Sequence, residues 1–211
     1  LQGSIGPIQA AFASDWPEAV PVNLVDDSLS TDRARDGELT EAMVDRFVVL
    51  TRYAKSTGAD GILFTCSAFH AAIDTAAEEV DIPVLKPDEA MMEGALAAGD
   101  RLALVATFEP TLGTARAELE ARASALGREV QVDTYHVKGA LEALQSGDAE
   151  GHAQRIIDTV GRVQDCNAVL LAQFTMAPVA SRVRAPGEVP VLTSPGTAVA
   201  KLRHLVEGRS S

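Results

Sequence analysis

Cys66 and Gln173 hold matching places in two stretches of one chain. Residues 60–88 read DGILFTCSAFHAAIDTAAEEVDIPVLKPD and residues 167–195 read NAVLLAQFTMAPVASRVRAPGEVPVLTSP, aligned without a gap at a shift of 107 positions, from 66 to 173. The same shift sets Pro83-Val84-Leu85 against Pro190-Val191-Leu192, Ser4-Ile5-Gly6 against Thr111-Leu112-Gly113, and Val25-Asp26 against Val132-Asp133. A thiol placed between an apolar strand and the first turn of a helix meets free backbone N–H groups and the positive end of the helix dipole. Both favour thiolate over thiol. Such a thiolate acts as a base towards a carbon acid or as a nucleophile; the alternative reading is a small buried hydrophobe. Glutamine at the matching place can only orient a ligand through its amide, because that amide is neither acid nor base near neutral pH.

Small hydroxyls crowd the same strand ends: Ser4, Thr65, Ser67, Thr107, Thr111, Thr114 and Thr175. With helix N–H groups they can bind a carboxylate without a cation, and they can equally serve as helix caps. Of the four histidines, His70 lies one turn after Cys66 and can face the same ligand, and His136 follows a strand end. His152 and His204 read as surface helix residues. No histidine pair has the spacing of a helical zinc site, and no Gly-rich phosphate loop follows a strand, so neither metal nor cofactor is expected. A cysteine hydrolase would need a paired histidine held by a third group, and no such set is evident.

The elements that must position these groups alternate. Apolar runs at 61–65, 102–106 and 168–172 read as strands covered on both faces, joined by short strands at 22–25, 83–85, 129–133 and 190–192. Helices are expected at 7–13, 38–56, 67–80, 88–98, 111–126, 137–145, 149–163, 176–184 and 196–207 from apolar spacing. Strand–helix alternation means parallel sheets with right-handed crossovers. A repeat this long gives two lobes facing each other rather than a solenoid. The expectation is an α/β protein of two pseudo-symmetric, doubly wound lobes, each with a four-stranded parallel sheet. Lobe 1 is residues 1–98, with the C-terminal helix 196–209 packing back on it; lobe 2 is 99–195. Ligands in such sheets bind beyond the carboxyl ends of the strands, here Thr65-Cys66, Thr107, Ala172-Gln173, Asp26 and Asp133, in the cleft between the lobes. Three residues precede Ser4 where a strand precedes Thr111, so the first strand of lobe 1 is expected to lie outside the sequence.

The chain has 211 residues with a net charge of −12, a surface that repels nucleic-acid backbones. No apolar run approaches the roughly 18 residues of a membrane span, and no signal peptide opens the chain. Its two cysteines, Cys66 and Cys166, are too few for a disulfide framework and read as free thiols of a reducing, cytoplasmic compartment. The expected partner is a small carboxylate substrate, with a homo-oligomer (a dimer or higher) as the default assembly.

TCSAF at 65–69, PVLKPDEAM at 83–91, LVATFEPTL at 104–112 and LLAQFTMA at 170–177 together resemble the aspartate/glutamate/hydantoin racemase superfamily over nearly the whole chain. The resemblance implies a cofactor-independent enzyme acting on the carbon next to a carboxylate. In two-cysteine members each lobe offers one thiol to opposite faces of the substrate. Cys66 matches the first of these, and Ser4, Ser67, Thr107, Thr111 and Thr175 match the usual carboxylate contacts. The chain departs at the second position: where the family often has Gly-Cys-Thr-His, it reads Ala172-Gln173-Phe174-Thr175. The implied activity is therefore a racemase-like isomerisation with Cys66 as base or nucleophile. The alternatives are a single-cysteine lyase or decarboxylase, and a two-lobe binding protein without turnover.

Overall fold

The computed structural model describes residues 4–209, and the side chain of Ser67 lies outside that description. The chain forms two compact units. One runs to Ala90 and resumes at Ala198, and the other is Met91–Thr197. In order along the chain come α1 (Ile5–Asp15), α2 (Ser28–Asp36), α3 (Glu41–Ser56), β1 (Ile62–Leu63), α4 (His70–Ala77), β2 (Val84–Leu85) and α5 (Glu89–Ala98). They are followed by β3 (Arg101–Ala106), α6 (Glu109–Ala125), β4 (Gln131–His136), α7 (Ala140–Gln145), α8 (Ala149–Val160), β5 (Ala168–Leu171), β6 (Val191–Thr193) and α9 (Ser194–Arg209).

The Met91–Thr197 unit carries a four-stranded, all-parallel sheet in the order β4-β3-β5-β6. Its central strands β3 and β5 are Ala, Val and Leu almost throughout because both faces are covered. Alternate residues separate cleanly. Ala103, Val105, Val169 and Leu171 face a core with Ile156, Val160 and Met176. Leu102, Leu104, Ala168 and Leu170 face another with Met91, Leu96 and Leu119. Each large side chain so buried contributes about 1.5–3 kcal/mol. The helix α8 starts where the Asp148 carboxylate accepts from the Gly151 amide at 2.8 Å, a side-chain cap on an otherwise orphan donor.

The other unit has a parallel pair, β1 with β2, in the register Ile62–Val84 and Leu63–Leu85. Its core is aromatic: the Phe47 ring lies 5.1 Å from that of Phe64 and 5.0 Å from that of Phe69. The helix α3 brings Met43 and Phe47 into this core, one turn apart, from an N-cap at Thr40. Gly61 lets α9 approach β1, since a Cβ there would stand 2.8 Å from Leu202 Cδ1.

The α/β class, the parallel strands and the four-stranded sheet of residues 91–197 agree with expectation. Four local expectations do not hold. The helix expected over 176–184 is a 3-10 segment, Phe174–Arg182, because Pro178 inside it cannot donate to an α-helical ladder. The segment 22–25 is irregular rather than a strand, with Val22 84% and Val25 44% exposed. Its counterpart β4 pairs with β3, and among the described residues no strand stands in that place beside β1, so β1–β2 remains a pair rather than part of a four-stranded sheet. The helix expected over 67–80 is a 3-10 turn, Ser67–Phe69, followed by α4 from His70; Phe69, at φ −127°, breaks the two apart. The strand expected at 129–133 forms as β4 at 131–136, which puts Asp133 in mid-strand and His136 at the end.

Candidate active site

Each unit gathers its own set of predicted residues at its strand ends. After β1, Thr65 and Cys66 leave the strand and the 3-10 turn begins. Ser4, at the head of α1, is buried and its Oγ lies 2.8 Å from Thr65 Oγ1, with either hydroxyl able to donate. Two residues 61 positions apart in sequence are thus joined at the position that precedes Cys66. Cys66 is half-buried, packed on the aromatic core formed around Phe47 and Phe69, and it is a free cysteine. Because α4 starts only at His70, the positive end of its dipole is delivered there rather than at Cys66, and a dipole's effect fades within the first turn. The expected helix start directly behind the thiol is therefore replaced by a turn of three residues. Ser67 heads that turn, while its predicted substrate contact lies outside the described residues. His70 Nε2 is 3.0 Å from Asp88 Oδ1, so this histidine is engaged within its own unit by the loop leading into α5.

After β5 the arrangement differs. Gln173 Oε1 accepts from the Thr107 amide at 2.6 Å, from the Thr107 hydroxyl at 2.8 Å and from the Phe108 amide at 3.3 Å. The end of β5 is thereby stapled to the end of β3, its sheet neighbour. Thr107, predicted as a carboxylate contact, is buried and spends both its amide and its hydroxyl on this one oxygen. Thr111 stands in the first turn of α6 with its amide on the Phe108 carbonyl at 3.1 Å. His136 ends β4 in register with Ala106, and its Nδ1 is 3.9 Å from a Glu109 carboxylate oxygen. Thr175 is exposed in the 3-10 segment Phe174–Arg182.

His152 corrects the sequence reading: it is buried, not on the surface. Its Nδ1 lies 2.8 Å from the Ala140 carbonyl and its Nε2 3.4 Å from the Thr175 carbonyl, so it ties α8 to the segment that carries Thr175. The signal was present in the apolar stripe of α8, where Ala153, Ile156 and Val160 share its face. Burial pushes the Cys166 thiol above the ordinary range, with the Asp133 and Asp165 carboxylates adding to the effect and Arg101 opposing it. Among the described residues no helix is long and apolar enough to cross a membrane.

Structural relatives share this architecture over nearly the whole chain. Glutamate racemase isoform RacE1 from Bacillus anthracis is 15% identical, with 98% of this chain and 79% of that one covered at a TM-score of 0.65. Allantoin racemase from Klebsiella pneumoniae is 21% identical over 99% of this chain and 84% of that one, with a TM-score of 0.66. An arylmalonate decarboxylase covers 80% of this chain and 78% of its own at 17% identity and a TM-score of 0.53. At these identities the likeness is one of fold. No curated protein matched the chain. The sequence model described as Asp/Glu/Hydantoin racemase matches residues 7–202. With a match of that extent, the chain belongs to the Asp/Glu/hydantoin racemase family.

Proposed function

We propose that the protein is a cofactor-independent isomerase of the racemase kind that moves a proton at the carbon next to the carboxylate of a small acid, with Cys66 as the thiol that does so. The observation that carries this reading is the placement of Cys66: half-buried just past the end of β1, next in sequence to Thr65, whose hydroxyl bonds to that of Ser4. As thiolate, Cys66 takes the α-proton, and the C–H electron pair passes into the neighbouring carboxylate to give a planar, enolate-like species. Return of that proton from the thiol restores the acid. The hydroxyls of Ser4 and Thr65 are suited to the carboxylate oxygens on which the charge develops. Gln173, the counterpart of Cys66 in the internal repeat, contributes an amide and not a second acid. Inversion then draws its second proton from another side chain, such as a histidine, or from water.

A second reading is favoured by the fixed state of Gln173 and by the fold shared with an arylmalonate decarboxylase. Loss of carbon dioxide from a malonate-like acid leaves the same planar species, and one protonation by the Cys66 thiol completes the reaction. One thiol suffices.

The test is α-hydrogen exchange in deuterium oxide. A panel of small acids, amino acids and hydantoins is first screened for thermal stabilisation, and the stabilising compound is then incubated in deuterium oxide and followed by NMR and chiral chromatography. Deuterium entry with inversion supports the isomerase. Entry with retention from one enantiomer, or release of carbon dioxide, supports the single-thiol lyase. Cys66→Ala should abolish exchange, a loss of about 100- to 10,000-fold for a positioned acid–base group; full exchange in that variant would sink both readings.

A further inference from the structure

Three donors converge on one point at the end of β3: the Thr107 amide, the Thr107 hydroxyl and the Phe108 amide. Backbone N–H groups gathered in this way are what binds a carboxylate oxygen at a strand end or helix start. Here the point is already filled, by the amide oxygen of Gln173. Two of the three donors are backbone N–H groups, which can only donate, so the atom facing them must be the side chain's oxygen and not its nitrogen. The amide nitrogen, with two hydrogens, is the donor this side chain retains.

We infer that Gln173 is a specificity-determining residue that acts as a resident substitute for an anion. Its oxygen closes the Thr107–Phe108 donor set to a substrate carboxylate, and its N–H groups offer a neutral contact instead. The group that fits against Gln173 is a neutral acceptor, such as a carbonyl or amide oxygen, and under the isomerase reading the substrate class is then an acid with a single carboxylate. The term substrate rests on the function proposed above; the closed donor set does not.

The experiment needs no substrate. In 1H–15N spectra of the full chain, sodium acetate should leave the Thr107 and Phe108 amide signals of the wild type in place. In Gln173→Ala the same signals should shift saturably, with acetate bound about tenfold or more tighter than by wild type, as expected for charge-assisted hydrogen bonds replacing the lost amide. Acetamide should shift them less. Movement of both signals in the wild type, or in neither protein, overturns the proposal. Should Gln173→Ala fail to fold, Gln173→Glu decides. A carboxylate in the same donor set is held below its ordinary value of about 4.3, so its stabilising effect is present above that pH and is lost as pH falls through the folded-state value. A thermal stability profile of Gln173→Glu identical to wild type between neutral and acid pH would reject the inference. Cys66→Ala should give wild-type spectra with acetate, so failure of the thiol chemistry and failure of this proposal are read separately.

Discussion

After β1 the chain sets a cysteine directly after a threonine whose hydroxyl bonds to that of Ser4; after β5 it sets an amide on three donors of its own unit. These places correspond in the internal repeat, 107 positions apart, yet their chemistry has diverged. The first holds a free cysteine, half-buried against the aromatic core. The second spends its acceptor on holding two strand ends together. The lesson is that a repeat can preserve the placement of a side chain while changing what that side chain bonds to.

That contrast can be broken by measuring stability at both places. Gln173→Ala leaves the buried Thr107 amide without an acceptor, and removing the acceptor of a buried donor costs about 1–3 kcal/mol. Urea denaturation should show this loss. Cys66→Ala, which removes one half-buried sulfur, should cost about 1 kcal/mol or less. If the ranking reversed, Cys66 would be the architectural member of the pair and Gln173 the dispensable one.

A smaller effect tests whether the hydroxyl pair belongs with the thiol. Thr65→Val keeps the shape of the side chain but removes one neutral hydrogen bond, for a loss of about 1 kcal/mol. Under the proposed function it should also weaken acid binding, seen as a smaller thermal shift with the stabilising compound. Unchanged binding would confine Ser4 and Thr65 to a structural role.

The smallest effect concerns the two thiols. Burial holds Cys166 above the ordinary thiol range, so iodoacetamide at neutral pH should label Cys66 well before Cys166, as peptide mass mapping would show. The sign for stability follows from the same shift. In the unfolded chain the Cys166 thiol ionises near its ordinary value of about 8.5, while in the folded chain it stays neutral to higher pH. The contribution is therefore complete below that value and falls away as pH rises above it. A Cys166→Ala variant should flatten that alkaline decline; an equal decline in both proteins would count against it.

Much of this was legible in the sequence because burial writes itself into composition. The runs Leu102–Ala106 and Ala168–Leu171 are apolar without interruption, and both are central strands. The repeat pointed to Cys66 and Gln173, and both stand at strand ends. What was not legible depends on neighbours distant in sequence. Residues 22–25 have strand-forming side chains but no adjoining strand to complete their hydrogen bonds among the described residues. The self-satisfaction of Gln173 requires the end of β3 to lie within reach, which no local pattern announces. His152 was misplaced for a simpler reason: a polar residue on an apolar stripe reads as exposed until its two carbonyl partners, Ala140 and Thr175, are seen.

The return of α9 to β1 has a consequence for the order in which the molecule can form. Residues 91–197 are one uninterrupted stretch, whereas the unit holding Cys66 draws on segments from both sides of it. During synthesis, which proceeds from the N-terminus at about 5–20 residues per second, the sheet with Gln173 can close as soon as β6 emerges. The thiol-bearing unit must wait until Leu202 reaches its seat against Gly61. Until then β1 lacks its cover and Cys66 belongs to an unfinished core. The surroundings of the thiol are thus the last to be assembled, and a released chain truncated just before Leu202 should show the amide staple formed while its Cys66 still labels as in an unfolded peptide.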